Sequence, residues 1–412
     1  MNLQEDARKI ISYSIFENLP NKSVETALLQ LPYYEGDLYI IAIGKAAYTM
    51  SLEAERTLGS KIKDGVCITK YGFTKQALPH FTLFEAGHPI IDENTIKATQ
   101  YVEFMVSNLN KDDLVVFLVS GGASIFEDPY IPLEEFSHIT NELLYKGANT
   151  LEINTIRKRL SKVKAGRFAN LVQPARLYSI VLSDMIEGPL DQVAGGPFTI
   201  DSTTAEDAFK ILKKYDVQVS SNVEERLKIP TPISINNLNT IVIGNNTYLC
   251  NAAKQSCRDL GYQATIVTTT MTSDAKDAAL QITDLAKQRL NTQTPLAYIF
   301  GGETTVKRTG DGLGGRNMEL ALKAAMEIEG LDHVCIFAFT SDGIEAKTDA
   351  AGGIIDGSSI KTLKLKGYDP NTFLQNNDSY HALELMDALI RIGPTGTCVN
   401  DLVVVLIQPT EN

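Results

Sequence analysis

The sequence predicts an α/β protein with doubly wound sheets. Short runs of apolar and β-branched residues recur along the chain, each followed by a turn with Gly or Asp and then by a helix-like stretch. Continuous apolar runs that alternate with helices are typical of parallel strands buried on both faces. These units are LYIIAIGKAA (38–47), LVVFLVSGGAS (114–124), LYSIVLSDMIEG (177–188), TIVIGNNTYLCNAA (240–253), PLAYIFGGET (295–304) and HVCIFAFTSDG (333–343), and DLVVVLI (401–407) closes the chain.

The length of the chain and one polar stretch indicate two domains. A chain of 412 residues is longer than a single hydrophobic core usually supports. Residues 201–239 are mainly polar, include Pro230 and Pro232, and end in a segment rich in Asn. We therefore expect one domain over residues 1–235 and a second over residues 236–412.

Composition excludes several classes of partner. The formal net charge of −12 argues against nucleic acid or an anionic membrane as the main partner. The five cysteines are scattered without a CxxC pair, which indicates reduced thiols. The N-terminus lacks the pattern of a signal peptide, and no apolar run approaches the roughly 18 residues of a membrane span. We expect a soluble, cytoplasmic protein.

The turn after the first predicted strand carries a Gly-Lys pair, and ligands of doubly wound sheets bind at such turns. Lys45 would stand at the head of a helix, where free N–H groups and the helix dipole favour an anion. The segment is not a P-loop, because Tyr39 occupies the place of its first Gly and Ala46 that of its Ser or Thr. On this pattern alone an ordinary surface lysine carries equal weight.

A second strand-to-helix turn, VSGGAS (119–124), offers donors for a phosphate or carboxylate. Gly121 and Gly122 would let the backbone approach a ligand closely, and Ser120 and Ser124 carry hydroxyl donors. A tight structural turn is the alternative, which the pattern alone slightly favours. A serine hydrolase is disfavoured because the GxSxG pattern is missing.

Residues 153–169 form a basic segment in an otherwise acidic chain. A solvated helix face is the usual explanation of such a run, but a cleft that takes phosphate and carboxylate groups also requires a basic edge. We expect Arg157 and Lys164 to bind substrate there. The six cations of residues 153–169 are Arg157, Lys158, Arg159, Lys162, Lys164 and Arg167.

A Gly-rich loop leads into a strongly helical stretch within residues 301–329. Gly310, Gly312 and Gly315 satisfy GxGxxG, but the preceding TTVKRT is not a buried strand, so a dinucleotide-binding loop is weakly supported. Arg316 at the helix start suits the charge of a transferring phosphoryl group better. The neighbouring candidates for phosphate binding are Gly314, Gly315 and Asn317.

Acidic residues follow two further apolar runs. Asp342 and Asp349 belong to TSDGIEAKTDAAGGIIDG (340–357), and grouped acids beyond a strand end suit Mg²⁺. An Asp-Gly turn is an equally good explanation of any single acid. Asp184 has the same placement after its own strand, and the loop GPTGTCVNDL (393–402) is either structural or a wall of the site.

Eight motifs in order resemble the glycerate 2-kinase family. The similarity runs from about residue 4 to the end of the chain. It implies a larger N-terminal Rossmann-like domain, a smaller C-terminal MOFRL-type domain and an active site in the cleft between them. The motifs are IAIGKAA, GHPIIDENT, LVSGGAS, NTIRKRLSKVKAGRFA, LSDMIEGPLDQVAGGP, GGETTVKRTGDGLGGRNMELAL, TSDGIEAKTDAAGGIIDG and NNDSYHAL with GPTGTCVNDLVVVLI.

The resemblance implies transfer of the ATP γ-phosphoryl group, with Mg²⁺, to the 2-hydroxyl of D-glycerate. The lysine of the family's GKAA motif falls on Lys45 and the arginine of its GGRN motif on Arg316. We expect both to be catalytic, with Asp184 orienting or deprotonating the hydroxyl and Asp342 as its rival. Asp342 and Asp349 are the predicted metal ligands. The expected partners are glycerate and ATP, and a homodimer stays open.

Two positions depart from the family pattern without changing the implied reaction class, and two other classes of protein stay open. SGGAS replaces the usual SGGGS, so Ala123 tightens that turn, and Arg159 stands where histidine is common. One alternative is a nicotinamide-dependent oxidoreductase that uses the loop of Gly310–Gly315. The other is a regulator that binds phosphosugars without consuming ATP.

Overall fold

The computed structural model describes residues 2–183 and 190–409, in two compact units. One unit is Pro20–Ile243, and the other joins Met1–Leu19 to Gly244–Asn412. The predicted boundary near residue 235 therefore differs from the observed division, which lies between Ile243 and Gly244. No helix among the described residues is long and apolar enough to cross a membrane.

The first helix, α1 (Leu3–Glu17), belongs to the unit formed by the C-terminal part of the chain. Its apolar stripe, which includes Ile10 and Ile11, is buried, and the carboxylate of Asp6 accepts the hydroxyl of Tyr262 at 2.8 Å. The sequence pattern showed an amphipathic helix but not the surface that buries it, so the domain prediction assigned this helix to the other unit.

The unit Pro20–Ile243 contains one six-stranded sheet with helices between its strands. Its elements are α2 (Asn21–Leu28), β1 (Leu38–Ile43), α3 (Ala47–Leu58), β2 (Ile62–Lys70), β3 (Phe81–Ala86), α4 (Glu93–Val106), β4 (Leu114–Ser120), α5 (Leu133–Tyr145), α6 (Thr150–Leu160), α7 (Arg167–Val172), β5 (Arg176–Leu182), α8 (Ala205–Lys214), α9 (Ser221–Lys228) and β6 (Leu238–Gly244).

The strand order β3-β2-β1-β4-β5-β6 is that of a doubly wound sheet, as the apolar runs predicted. β1 pairs in parallel with both β2 and β4, and the pairs β2/β3 and β4/β5 are also parallel. The chain order reverses between β1 and β4. In sheets of this type that reversal opens a crevice at the carboxyl ends of the strands, between the turns that follow β1 and β4.

The second unit contains a mixed sheet in the order β11-β10-β9-β12-β8-β7. Its further elements are α10 (Asn246–Asp259), β7 (Gln263–Met271), α11 (Ala275–Lys287), β8 (Leu296–Gly302), α12 (Arg316–Glu327), β9 (Val334–Thr340), β10 (Gly352–Asp356), α13 (Ser359–Leu365), α14 (Pro370–Gln375), α15 (Ser379–Leu385), β11 (Leu389–Ile390) and β12 (Asp401–Ile407).

Among the described strands of this sheet, only the pair β7/β8 is parallel. β12 lies antiparallel between β8 and β9, and β9/β10 and β10/β11 are antiparallel as well. The expectation of parallel strands is therefore wrong for this unit except at the pair β7/β8. β9 and β12 are buried along their whole length, so each has a continuous apolar run irrespective of its direction.

Candidate active site

The turn after β1 is hydrogen-bonded to the end of β4. The hydroxyl of Ser120 donates to the carbonyl of Ile43 at 3.1 Å and accepts the N–H of Ala46 at 3.0 Å. Ser120 is fully buried. Because its proton is given to a backbone carbonyl, these contacts do not support the prediction that Ser120 donates to phosphate. They hold the two turns against each other.

Lys45 stands at this junction, between β1 and α3. Its N–H donates to the carbonyl of Gly121 at 2.9 Å, and a Cβ placed on Gly122 would lie 2.8 Å from its Cγ. Gly122 has a φ of 78°, a left-handed conformation that glycine adopts without strain. The structure therefore brings Lys45, Gly121 and Gly122 together where the strand order reverses, and the lysine side chain is half-buried.

Ser124 in the same loop contacts His88, to which the sequence analysis assigned no role. The imidazole Nδ1 lies 2.6 Å from the hydroxyl Oγ. His88 follows β3, which is separated from β4 by β2 and β1, so the segment after β3 crosses the carboxyl ends of both intervening strands. The contact joins the segment after β3 to the loop that also contains Gly121 and Gly122. The only sequence signal was the motif GHPIIDENT, whose spacing names no chemistry.

Lys158 and Arg159 of the basic segment are buried and paired within the protein, which fits neither a solvated helix face nor a basic edge open to substrate. The ammonium group of Lys158 is fully buried and contacts the carboxylates of Asp191 at 2.6 Å and Asp201 at 3.2 Å. Arg159 donates to the carbonyl of Thr203 at 2.9 Å. Buried charges need such partners, and a run of basic residues does not reveal that acids distant in sequence will neutralise it.

Arg157 and Lys164, the predicted substrate ligands, are buried with Glu127. Lys164 Nζ lies 3.9 Å from the Glu127 carboxylate and donates to the carbonyl of Ala194 at 2.7 Å. Burial lowers the pKa of Lys164 to about 8 although Glu127 opposes this, and burial raises the pKa of Glu127. A Cβ on Gly195 would lie 2.6 Å from the lysine Cδ. These contacts tie Lys164 to the loop after β5.

Arg316 is the first residue of α12 and is held by a carboxylate. Its Nε and Nη2 donate to the two oxygens of Asp401 at 2.5 and 2.9 Å, and Nη2 lies 3.6 Å from Glu303. Burial disfavours the charged guanidinium, but these two carboxylates outweigh it and raise the pKa of Arg316 well above its usual value. Asp401 pairs with Gly302 and Thr340, so three strands meet at this site.

Glu345 occupies the N-terminus of α12. Its carboxylate accepts the backbone N–H groups of Asn317 at 2.7 Å and Met318 at 3.1 Å, and the side-chain amide of Asn317 at 3.0 Å. Burial raises the pKa of Glu345 to about 7, opposed by Arg316 and reinforced by Asp401. Asn317, predicted to bind phosphate, thus donates to a carboxylate of its own chain.

The Gly-rich loop before α12 is hydrogen-bonded to the segment Asn376–Asp378. The N–H groups of residues 309 and 310 donate to Asn377 Oδ1 at 2.7 and 3.0 Å, and those of 311 and 312 to the side chain and carbonyl of Asn376. That of residue 313 donates to Asp378 Oδ1 at 2.9 Å. Five successive amides are therefore occupied within the chain, which argues against a dinucleotide-binding loop.

Gly314 and Gly315 lie where their own chain approaches closely. A Cβ on Gly314 would overlap the hydroxyl of Ser379, and one on Gly315 would overlap the carboxyl group of Glu345. Both residues accommodate internal contacts, so glycine at these positions is explained without a phosphate.

The two predicted metal ligands have different surroundings. Asp342 is buried beyond β9, where its Oδ1 accepts the hydroxyl of Thr340 at 3.1 Å. Asp349 is 62% exposed and contacts Arg391 Nε at 3.0 Å and the hydroxyl of Tyr380 at 2.8 Å. Within residues 2–183 and 190–409, no group of three or more His, Cys, Asp or Glu is arranged to hold a metal ion.

Similarity to known proteins covers almost the whole chain. Two family models match it: a domain of unknown function, DUF4147, over residues 6–228, and the MOFRL family over residues 296–401. The D-glycerate 2-kinase of Thermotoga maritima is 44% identical over 98% of this chain and 99% of its own length. The chain belongs to the glycerate 2-kinase family. The family inferred from the eight motifs is thereby confirmed.

Two more comparisons agree with membership of the glycerate 2-kinase family. The glycerate 2-kinase of Pyrococcus horikoshii is 38% identical over 90% of this chain and 88% of its own length. The crystal structure of a glycerate kinase from Thermotoga maritima matches with a TM-score of 0.87 at 44% identity, covering 98% of this chain and 99% of that chain. The α/β fold with a C-terminal MOFRL domain is confirmed as well.

Two residues beside Arg316 were missed by sequence reasoning, and one predicted site residue lies outside the described residues. Asp401 and Glu345, which hold Arg316 and its helix, carried no pattern that linked them to that arginine. Asp401 belongs to the loop motif GPTGTCVNDL, whose sequence does not distinguish a structural loop from a wall of the site. Asp184, predicted to handle the hydroxyl proton, lies outside the described residues.

Proposed function

We propose that this protein transfers the γ-phosphoryl group of ATP to the 2-hydroxyl of D-glycerate, forming 2-phosphoglycerate and ADP. The observation that carries the proposal is the placement of Lys45 at the reversal point of a doubly wound sheet, in a chain with full-length similarity to D-glycerate 2-kinase. A cation held there by a glycine turn can face an anionic ligand.

Proteins catalyse phosphoryl transfer mainly by positioning the reactants and by stabilising the charge of the transition state. Lys45 supplies a charge that reaches past Gly122 on a half-buried stem. Arg316 supplies a planar guanidinium that can donate to two phosphate oxygens at once. We assign to both the stabilisation of charge on the transferring group and on the phosphate that leaves. The two residues lie in different units, so we expect activity to require both.

Ser124 and His88 are the polar side chains we assign to substrate binding beside Lys45. Their contact of 2.6 Å fixes the hydroxyl at the end of the β4 loop, and both side chains are half-buried rather than enclosed. The hydroxyl of Ser120 donates to the carbonyl of Ile43. Of the two serines predicted as donors in this loop, we therefore assign only Ser124 to substrate binding. Asp184 remains the proposed acceptor of the hydroxyl proton.

The donor set at the edge near Arg316 fits Mg²⁺, which prefers carboxylate oxygens. Asp401 lies between β8 and β9, and Glu303 and Asp342 follow those two strands, so both carboxylates lie on the same edge. Asp342 and Glu303 would hold the ion, which when bound neutralises charge on the phosphates. Asp349 pairs with Arg391 instead, and we do not propose it as a ligand.

A coupled assay with purified protein tests the regiochemistry. Enolase alone converts 2-phosphoglycerate to phosphoenolpyruvate, whereas 3-phosphoglycerate first needs a mutase. With ATP, Mg²⁺ and D-glycerate, we expect full signal from enolase without mutase, since displacement of a reacting group by about 1 Å already slows a reaction about 10²-fold. A signal that appears only after mutase is added would contradict the 2-hydroxyl. ATP-independent oxidation of NAD(P)H with hydroxypyruvate would instead indicate the oxidoreductase.

A further inference from the structure

Asp401 binds one edge of the Arg316 guanidinium, and Glu303 lies 3.6 Å from its Nη2. Nε and Nη2, which form the side-on edge of the guanidinium, donate to the two carboxylate oxygens of Asp401 at 2.5 and 2.9 Å. Such paired contacts fix the plane of an arginine as well as its position. Nη1 makes no contact with Asp401 through these two bonds, and the arginine side chain is 26% exposed.

Asp401 is itself rigidly placed. It begins β12, its backbone pairs with Gly302 on one side and Thr340 on the other, and its side chain is only 5% exposed. The side-chain amide of Asn246, at the start of α10, donates to the carbonyl of Asp401 at 2.9 Å. A carboxylate on a central strand, with its backbone held on both sides, has little freedom to follow a moving arginine.

The backbone of Arg316 is held independently of its side chain. Glu345 accepts the N–H groups of the two residues that follow it. The start of α12 and the tip of its first side chain are therefore fixed by two different carboxylates.

We propose that Asp401 is a positioning residue that holds Arg316 side-on, so that the end-on edge of the guanidinium receives the transferring phosphoryl group. This rests on the proposed kinase function. Asp401 touches no substrate in this arrangement. Its contribution is that the arginine does not have to be oriented when ATP binds, which matters because donors aimed in advance at developing charge are the effective ones.

Chemical rescue separates this positioning role from a structural one. In the full-length chain, Arg316→Ala should lower kcat by roughly 10²-fold or more, and free guanidinium at sub-denaturing concentration should restore part of it. In the double variant Arg316→Ala/Asp401→Asn, the same guanidinium should restore at least about tenfold less kcat, because the carboxylate that would bind and orient it is missing. Equal rescue in both variants would overturn the proposal. Unchanged kcat in Arg316→Ala would instead contradict the assignment of Arg316.

A second measurement decides the matter if guanidinium rescues neither variant. Asp401→Asn alone should lower kcat about 10- to 100-fold, the usual effect of losing a residue that orients a functional group, with KM for ATP and glycerate nearly unchanged. The control Glu384→Gln removes a carboxylate from the exposed Arg391 pair and should leave kcat unchanged. Thermal unfolding verifies that both variants are folded. Wild-type kcat in a folded Asp401→Asn variant would refute the positioning role.

Discussion

Asn377 should hold the Gly-rich loop in front of Arg316, and its removal should destabilise the C-terminal unit. The residue is 6% exposed. Its Oδ1 accepts the N–H groups of Thr309 and Gly310 at 2.7 and 3.0 Å, and its Nδ2 donates to the buried carboxylate of Glu319 at 2.9 Å. The perturbation we choose is Asn377→Gly, because the φ of 52° would add strain to an alanine.

The size of the effect follows from the partners left behind. Two backbone N–H groups lose their acceptor and Glu319 loses a donor, and an unsatisfied buried polar group costs about 1–3 kcal/mol. The loop amides are only partly buried, so we expect a loss of about 2–4 kcal/mol in total, including the entropy that glycine adds to the unfolded chain. For a domain of this size that lowers Tm by roughly 5–15 °C.

Urea unfolding followed by circular dichroism measures the loss, with Asn376→Gly as the matched control. Asn376 is the exposed neighbour, and its side chain accepts a single loop amide, that of Asp311 at 3.2 Å. The control carries the same glycine entropy and should lose no more than about 1 kcal/mol. If Asn377→Gly is no less stable than the control, the loop is held by something other than this side chain.

Three further predictions concern the side chain of Lys45, the buried face of helix α1 and the buried carboxyl group of Glu345. Lys45→Ala should retain the fold, by thermal unfolding, and lose roughly 10²-fold or more in kcat; unchanged kinetics would remove Lys45 from the site. Ile10→Ala should cost about 2–5 kcal/mol in urea unfolding, because Ile10 is fully buried, whereas Phe16→Ala on the same helix, 68% exposed, should cost almost nothing. Burial raises the pKa of Glu345 from 4.5 to about 7, so the folded state retains a proton that the unfolded chain loses first. The free energy of unfolding should therefore fall by up to about 3 kcal/mol as pH rises from 4.5 to 7. An equally steep fall in the Glu345→Gln variant would show that the titration of Glu345 is not its cause.

The strands and the turn of Lys45 could be predicted because the signals that encode them are local. A buried strand needs a run of apolar residues, and the runs at 38–43 and 114–120 became β1 and β4. The glycines beside Lys45 stand where the backbone has a positive φ or approaches the lysine stem. Each of these requirements is met by residues within a few positions of one another.

The charged residues were harder to predict, because their partners are far away in sequence. Lys158 is neutralised by Asp191 and Asp201, more than thirty positions later, so a basic run that reads as a binding edge becomes part of the interior. Asp349, an acid predicted from its loop to bind a metal ion, is an exposed partner of Arg391, 42 positions later. The type of a charged residue and its spacing from its sequence neighbours carry no information about which side chain it will pair with in the fold.

By itself the sequence determined the α/β class, the family and the places where glycine turns follow strands, because burial and backbone conformation restrict residue type at each position. Only the tertiary structure decided that β9 and β12 run antiparallel and that α1 packs with the C-terminal part of the chain. It alone also paired Arg316 with Asp401, 85 positions apart. An apolar side chain gains the same free energy against any neighbouring apolar surface, so hydrophobic patterns specify that a segment is buried and leave its direction and its partners to the packing of the whole chain.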